Sequence, residues 1–325
     1  MQHWLRLLGI GLATSLTLAA APSHADTYPS KPIRLIVPFP ASGATDLLAR
    51  AIAQRVGTSL GQQIVVDNRP GAGGAIGSDM AAKAAPDGYT ILIATTSTHS
   101  IGPYINTHLP YNTETDFTPI GQVATATNVL VVPNQLPVKN VKELIDYAKK
   151  HPGELNYASS GNGTVVHLTA EAFKAQAGVF ITHIPYRGTA LAVPDLISNK
   201  VQILFDSIVS GMPHVKDGKL KALAVTSLKR SPLAPELPTA SESGLPGFES
   251  DTWFGIYGPK GLPPEIVNRL NTEFNRAIQS QDVKDRLAKL GAEPVGGTPA
   301  QFAAMVKKDS ARWGKLIKDR KIQVD

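Results

Sequence analysis

The hydrophobic positions of this chain of 325 residues follow two patterns in turn. Short runs of apolar, largely β-branched residues, such as Ile33 to Val37, are typical of buried parallel strands. Elsewhere apolar residues recur every four positions, as at Leu48, Ile52 and Val56, which indicates a helix with one buried face. The sequence therefore predicts an α/β fold.

The first predicted strand leads into a turn that is suited to binding an anion. Pro38 and Pro40 end the strand, and the turn Ser42-Gly43-Ala44-Thr45 stands where the helix begins. The first N–H groups of a helix have no acceptor within it, and the helix dipole places partial positive charge there. Gly43 lets a ligand approach the backbone closely. The turn predicts a carboxylate or phosphate site, although many such turns only cap a helix.

The same arrangement occurs a second time. Ser160-Gly161 follows another predicted strand, lies 118 residues after Ser42-Gly43 and precedes another helix. The next strand of each copy leads to an arginine, Arg69 or Arg187, and these two are also 118 residues apart. Two lobes of similar plan are implied, with a cleft between them in which both helix starts hold one acid.

Two long stretches are placed to connect the lobes. The β-branched stretch 121–132 would carry the chain into the second lobe, and the aromatic stretch 248–257 would return it. Helices predicted over 265–290 and 299–319 would then pack on the first lobe, which gives a hinge of two crossings. The predicted division is 26–124 for the first part of lobe 1, 125–250 for lobe 2 and 251–325 for the return segment of lobe 1.

Residues 1–25 have the features of a cleaved export signal. Arg6 supplies a positive charge, residues 7–21 are largely apolar, and Ser23-His24-Ala25 fits the small-x-small cleavage rule. The apolar run is shorter than the roughly 20 residues that a spanning helix needs. The chain contains no cysteine, so neither disulfides nor a lipid anchor is expected. These features predict a freely diffusing periplasmic protein, which we expect to be a monomer.

Composition and motif spacing argue against several other classes of protein. The net charge of +6 comes from dispersed Lys and Arg residues, which disfavours nucleic acid as a partner. The glycines of 71–77 read G-x-G-G-x-x-G and depart from the dinucleotide fingerprint, so they predict a tight loop. Neither a cofactor nor a metal is predicted.

Polar side chains that follow other strands admit more than one interpretation. Thr95, Ser97 and His99 stand at the strand end where ligands commonly bind, although His99 also suits an ordinary polar turn. Asp206 ends another predicted strand and would bind an amino group, position a water or cap the following helix.

Histidines near the second turn also leave alternatives open. His167 stands four residues before Glu171, so it is either a ligand contact or half of an exposed helical pair. A secreted hydrolase with Ser159 or Ser160 as nucleophile and His167 or His183 as base is the weaker alternative. The turn lacks the G-x-S-x-G elbow that such enzymes use, because an aromatic residue replaces the first glycine.

The assembled motifs resemble one family, the Bug-type extracytoplasmic solute receptors, which are the binding proteins of tripartite tricarboxylate transporters. The resemblance runs from Tyr28 to the carboxyl terminus. Its motifs are Tyr28-Pro-x-Lys-Pro-Ile, Pro38-Phe-Pro-x-x-Gly-x-x-Asp46-x-x-Ala-Arg50, Asn68-Arg-Pro-Gly-Ala-Gly-Gly74, Pro86-Asp-Gly-Tyr-Thr90, Tyr157-x-Ser-x-Gly-x-Gly-Thr164-x-x-His-Leu168, Pro185-Tyr-Arg-Gly188 and Pro238-Thr-x-x-Glu-x-Gly-Leu-Pro-Gly-Phe-Glu249.

The resemblance implies a two-lobed, type II periplasmic binding protein that closes on a small carboxylate. The ligand would pass to membrane permease subunits, or the closed form would report it to a sensor kinase. Ser42 and Arg187 depart from the usual Gly and Lys of the family and bear on which acid is bound. The candidate ligand-binding residues are Phe39, Pro40, Ser42, Gly43, Thr45, Asp46, Thr95, Ser97, His99, Ser159, Ser160, Gly161, Gly163, Thr164, His167, Arg187, Gly188 and Asp206.

Overall fold

The computed structural model describes residues 28–106, 108–232, 234–320 and 322. It confirms the predicted α/β class and the plan of two lobes. The predicted export signal lies outside the described residues. Among the residues that are described, no helix is both long enough and apolar enough to cross a membrane.

The elements alternate as the hydrophobic pattern predicted. The strands are β1 (Ile33–Val37), β2 (Ile64–Asn68), β3 (Thr90–Thr95), β4 (Phe117–Pro133), β5 (Asn156–Ser159), β6 (Thr182–Pro185), β7 (Ile203–Ser207), β8 (Leu220–Val225), β9 (Asp251–Pro259) and β10 (Glu293–Pro294). The helices are α1 (Ala44–Leu60), α2 (Ala75–Ala82), α3 (Gly102–Ile105), α4 (Val141–Lys150), α5 (Val165–Ala177), α6 (Thr189–Ile197), α7 (Ile208–Lys216), α8 (Pro264–Gln279), α9 (Gln281–Leu290) and α10 (Pro299–Arg320).

Strand β4 belongs to both lobes. From Phe117 to Thr127 it pairs antiparallel with β9, and from Asn128 onward it pairs antiparallel with β7 and β8. The first lobe has the strand order β2-β1-β3-β9-β4, and the second continues as β4-β7-β5-β6. One sheet therefore runs through both lobes, and β4 carries the chain from one to the other.

The parallel strands of each lobe position the turns that were singled out in the sequence. Strands β1, β2 and β3 are mutually parallel, and so are β5, β6 and β7. Because the carboxyl ends of parallel strands meet at one edge of a sheet, the turns that follow them lie together. Gly43 follows β1 and Thr96 follows β3, whereas Ser160, Gly188 and Ile208 follow β5, β6 and β7.

The inward face of α1 was predicted correctly. Leu48, Ile52 and Val56 are buried and belong to a core that also contains β1 and α8 and continues into the second lobe. Burial of such side chains contributes about 1.5–3 kcal/mol each. The start of α1 is therefore fixed by packing along the whole helix.

The helix predicted over 265–290 is instead two helices that meet at Ser280. The backbone of Ser280 is extended, with ψ 145°, and its hydroxyl donates to the carbonyl of Ala277 at 2.5 Å. Such a local side-chain bond competes with the helical pattern. Ser280 therefore ends α8 and precedes α9, which turns back toward α1.

Candidate functional site

Turns from both lobes line one cleft. The first lobe contributes the start of α1 and residues that follow β3, and the second contributes the starts of α5, α6 and α7. The cavity between these turns is small, about 60 Å³ when measured as the space open to the centre of a water molecule. Its lining residues are Phe39, Pro40, Gly43, Ala44, Thr45, Thr95, Ser97, Asn128, Ser160, Val165, Val166, Gly188, Thr189, Ala190, Asp206, Ser207, Thr252 and Phe254.

The start of α1 opens onto the cleft without a side-chain cap. Gly43 is the N-cap residue and has no side chain that could accept a hydrogen bond. The first N–H groups of α1, beginning at Ala44, therefore have no acceptor within the helix. Ser42 has a positive φ of 65° and is exposed outside the cleft. The turn therefore presents backbone donors to the cleft, and the Ser42 side chain is not among the lining groups, contrary to expectation.

Asp46 holds this turn from behind. Its carboxylate accepts from the Ser42 N–H at 2.9 Å, from Arg50 Nε at 3.0 Å and from Asn68 Nδ2 at 3.0 Å. Burial acts to raise the pKa of Asp46, but the hydrogen bonds from Arg50, Ser42 and Asn68 together lower it. Asp46 does not line the cleft, because its oxygens are engaged in ordering the turn, and its predicted contact with the ligand stays a prediction.

The start of α5 faces the first lobe and is more fully capped. The Thr164 hydroxyl accepts from the N–H of His167 and donates to the carbonyl of Gly161 at 2.8 Å. The N–H of Val165 donates across the cleft to Ser97 Oγ at 2.9 Å. Thr164 is therefore a cap behind the lining, and the contact between Ser97 and Val165 joins the two lobes.

A stack of three rings supports the loop before α5. The rings of Tyr157, His183 and His167 lie nearly parallel, with centroids 4.7 Å apart for the first pair and 4.2 Å for the second. His167 Nδ1 accepts from the Gly163 N–H at 3.2 Å. Burial is the main cause that lowers the pKa of each histidine to about 4, so both are neutral at pH 7.

Three predicted ligand-binding residues, Ser159, Gly163 and His167, belong to this stack or to the loop that it supports. His167 is buried beneath the loop and is neither exposed nor among the lining residues. Glu171 instead accepts from Tyr157 at 2.5 Å and from Lys174 at 2.6 Å. Ser159 Oγ lies 2.6 Å from His183 Nε2, but the serine is fully buried and accepts from Gly161 N–H. Ser159, Gly163 and His167 thus hold the loop and do not line the cleft.

His99 lies in an aromatic cluster away from the cleft. Its ring centroid is 4.5 Å from that of Tyr257 and 4.6 Å from that of Phe117. Its Nδ1 is 3.0 Å from Thr98 Oγ1, and burial lowers its pKa to about 3. His99 is therefore a neutral core residue that does not line the cleft, so it is not an ordinary polar turn residue.

Asp206 does reach the cleft. It is 2% exposed at the end of β7, and its Oδ1 accepts from the Ser207 N–H at 2.9 Å. The role of helix cap falls to Ser207, whose hydroxyl accepts from Val209 N–H. Burial raises the pKa of Asp206 to about 6, against the lowering effect of nearby hydroxyls.

Arg187 and Gly161 lie at the rim of the cleft. They line a neighbouring opening together with Phe39, Ser160 and the glycine loop 71–74. Arg187 is exposed there and does not line the main cleft. Arg187 and Gly161 therefore lie beside the main cleft, and their predicted contacts with the ligand stay predictions.

The rim also shows that the lobes touch each other. A Cβ atom on Gly73 would stand 2.8 Å from the Asn162 carbonyl oxygen, and one on Gly188 would stand 2.5 Å from Pro40 Cγ. Each pair joins a residue of the first lobe to one of the second. The two lobes therefore touch at the rim, and the α1 and α5 starts face each other across the cleft.

The remaining lining residues were missed by the sequence reading. Ala44, Val165, Val166, Thr189 and Ala190 are first-turn residues of helices that follow predicted strands, so a systematic search for helix starts would have found them. Of the others, Ser207 ends β7, whereas Asn128, Thr252 and Phe254 come from the crossing strands β4 and β9, so their approach depends on strand pairing. Asn128 is the clearest case, since its side chain donates to the Ser250 carbonyl at 3.0 Å and accepts from Thr252 at 3.2 Å.

The described residues contain no group of three or more His, Cys, Asp or Glu side chains that could hold a metal ion. The lining of the cleft combines apolar side chains with helix starts and neutral polar side chains, and Asp206 is the ionisable exception among its lining residues.

Comparison with known proteins gives relatives along nearly the whole chain. A protein encoded between tcbD and tcbE in Pseudomonas sp. strain P51 is 42% identical over 320 residues, covering 98% of this chain and 95% of the relative. Protein BugT of Bordetella pertussis strain Tohama I is 39% identical over 320 residues, covering 98% of each.

Solved structures agree with these relatives. The structure of Rpa4515 of R. palustris with adipate has a TM-score of 0.89 and 40% identity, covering 91% of this chain and 99% of that one. MatC of Rhodopseudomonas palustris with bound malate has a TM-score of 0.85 and 33% identity, covering 89% and 100%.

The family model that matches is described as the tripartite tricarboxylate transporter family receptor, and it matches residues 48–322. Its members are receptors, so the expectation that the chain is not an enzyme is confirmed, and BugT supports the Bug-type resemblance. This chain therefore belongs to the tripartite tricarboxylate transporter family of receptors.

Proposed function

We propose that this protein is a periplasmic receptor that captures a small carboxylate between its lobes for the permease subunits of a tripartite tricarboxylate transporter. The observation that carries the proposal is the convergence of the α1, α5 and α6 starts on one cleft lined by no Lys or Arg side chain. Helix starts bind anions through backbone N–H groups and the helix dipole. Adipate in the structure of Rpa4515 and malate in that of MatC support a carboxylate as the ligand class.

Closure supplies the mechanism. The ligand would be held by the α1 start of one lobe and the α5 and α6 starts of the other, so it makes its full set of contacts only when the lobes meet. A ligand shifts the balance between open and closed forms by its difference in affinity for the two. We place the hinge at the two crossings, near residues 124–128 and 250–252, with lobe 2 formed by 125–250.

A thermal-shift screen over a panel of mono- and dicarboxylates tests the ligand class. An acid at about 100 times its dissociation constant stabilises the folded protein by roughly 2.7 kcal/mol, which appears as a higher melting temperature. We expect at least one carboxylate to do so and the matching amides and alcohols to fail. Stabilisation by neutral solutes alone would contradict the proposal.

Uptake and export need separate measurements. We expect the mature chain in the periplasmic fraction after loss of residues 1–25, and uptake of the bound acid that requires both this receptor and the permease. Binding without any permease-dependent uptake would contradict the transport role while leaving the carboxylate site intact. A transcriptional response to the acid in that case would indicate a sensor kinase as the partner.

A further inference from the structure

Asp206 is the one ionisable side chain among the eighteen residues that line the cleft. Its position is unusual, because the helix starts around it favour negative charge and the residue itself carries an acid. It is 2% exposed and stands at the end of β7, between the starts of α6 and α7. A buried acid in an anion site calls for a physical explanation.

One of the two oxygens of the Asp206 carboxyl group has no hydrogen-bond partner in the described part of the chain. Oδ1 accepts from Ser207 N–H at 2.9 Å, whereas Oδ2 has no hydrogen-bond partner within the described part of the chain. The hydroxyls of Thr189 and Ser210 are near enough to lower the pKa of Asp206, but neither satisfies Oδ2. A buried acceptor without a donor is costly, so the bound ligand is the natural source of one.

The groups packed around Asp206 add no charge. Val129 of β4 stands opposite it in the sheet, and a Cβ atom on Gly211 of α7 would stand 3.5 Å from the Asp206 Cβ. Ser210 on α7 and Thr189 on α6 are the side chains that act on it, and both are neutral. The nature of the ligand therefore decides whether Oδ2 gains a partner or a repelling neighbour.

We propose, on the basis of the proposed function, that Asp206 is a specificity-determining residue that selects carboxylates bearing a hydroxyl or ammonium group. The helix starts hold the carboxylate of the ligand, and Asp206 Oδ2 accepts a hydrogen bond from the second group. An unsubstituted acid leaves Oδ2 unpaired, and a second bare carboxylate at that place meets an ionised Asp206.

A neutral Asp206 that donates to a second carboxylate is the opposing arrangement, and pH separates the two. Since burial raises the pKa of Asp206 to about 6, the group is ionised above that pH in the empty cleft. An acceptor role weakens binding of a hydroxy acid as the pH falls from 7 to 5. A donor role instead strengthens binding of an unsubstituted diacid over the same interval.

The test uses matched sets of acids, each titrated calorimetrically into the full mature chain. The sets are succinate, malate and aspartate; glutarate, 2-hydroxyglutarate and glutamate; and phenylacetate, mandelate and phenylglycine. We expect a donor-bearing member to bind about tenfold or more tightly than its unsubstituted partner in at least one set. Asp206→Ala should abolish that preference. Asp206→Asn should retain it for a hydroxyl group, because the amide oxygen still accepts, and lose it for an ammonium group.

Asp79→Asn is the matched control. Asp79 on α2 also has a buried carboxylate oxygen, Oδ1, without a hydrogen-bond partner in the described part of the chain, and it does not line the cleft. This variant should keep the wild-type preference, and melting curves confirm that each variant folds. The inference is overturned if unsubstituted acids bind as tightly as their substituted partners, if the preference survives in Asp206→Ala, or if diacid binding strengthens toward pH 5. A wild-type protein that binds no carboxylate overturns the proposed function itself.

Discussion

The starts of α1 and α5 border the same cleft from opposite lobes and are held in different ways. Gly43 leaves the first turn of α1 without a side-chain cap, and Asp46 fixes that turn from behind. At α5 the Thr164 hydroxyl accepts a hydrogen bond from the His167 N–H, and Ser97 Oγ accepts one from the Val165 N–H. The N–H groups at the start of α1 can therefore bind an anion. At the start of α5 one N–H group, that of Val165, instead forms a hydrogen bond between the lobes.

The comparison explains how the repeated turns differ in function. The two copies share their spacing in the sequence, and both lead from a parallel strand into a helix. The second copy rests on the stack of Tyr157, His183 and His167, whereas the first rests on an ion pair between Asp46 and Arg50. We infer that the first start supplies binding strength and the second supplies rigidity and closure.

Substitution Ala44→Pro tests the first half of the comparison and has the largest expected effect. Proline at the first helical position suits a helix, and the extended backbone of Gly43, with ψ 167°, is compatible with a following proline. The change removes one N–H donor and fills its place with the ring. We expect about a 10- to 100-fold weaker carboxylate affinity by calorimetry, with little change in melting temperature. An unchanged affinity would show that this start does not hold the ligand.

Substitution Gly73→Ala tests whether the two starts must meet. A Cβ atom there would lie 2.8 Å from the Asn162 carbonyl oxygen of the other lobe, so closure is hindered while the open form is not. We expect about a tenfold loss of affinity from a clash of this size. The control is Gly61→Ala, which has a similar positive φ of 70° but no atom within 4 Å of the added Cβ. Both variants should lose similar stability, and equal affinities for the two would contradict a closed binding form.

Substitution Val165→Pro repeats the proline change at the first position of α5. It removes the hydrogen bond to Ser97 Oγ, a contact that exists only when the lobes meet. The expected loss is about two- to tenfold, since a neutral hydrogen bond contributes roughly 0.5–1.5 kcal/mol. An effect larger than that of Ala44→Pro would reverse the assignment of roles to the two starts.

Substitution His99→Phe has the smallest expected effect on binding. We expect the carboxylate affinity to stay within about twofold, because the ring packs against Tyr257 and Phe117 outside the cleft. Burial lowers the pKa of His99 to about 3 in the folded protein, whereas the pKa of a histidine in the unfolded chain is about 6.5. The unfolded state therefore takes up more protons as the pH falls from 7 toward 4, and the free energy of unfolding decreases. The His99→Phe variant should therefore lose about 2 kcal/mol less of its free energy of unfolding between pH 7 and pH 5 than the wild type does. Urea unfolding of both proteins at pH 7 and at pH 5 measures this difference.

The sequence predicted the local parts of this structure and missed those that depend on distant pairing. The turn at Gly43 and its copy at Ser160 are visible in the chain because strand, turn and helix are adjacent there. His99 is different, since Phe117 and Tyr257, which bury its ring, belong to strands far along the chain. Asn128 reaches the cleft for a similar reason, because β4 passes between the two lobes.

Two misplaced residues show a second limit. Asp46 and His167 lie within the motifs that carry the resemblance, and both serve the turns rather than the lining. A motif indicates that a residue type is needed at a position, whereas a hydrogen-bond partner shows what it is needed for. The hydrogen bonds of the folded chain distinguish the groups that line the cleft from those that hold the turn.

The most direct test follows the backbone amides of both helix starts during one titration. The isotope-labelled mature protein would be titrated with a carboxylate that raises its melting temperature, while the amide resonances of Ala44, Thr45 and Val166 are recorded. We expect the resonances from both starts to shift together and to saturate at the same ligand concentration. Shifts confined to one start, or the absence of shifts at both when the ligand is bound, would contradict the binding of one carboxylate by both helix starts.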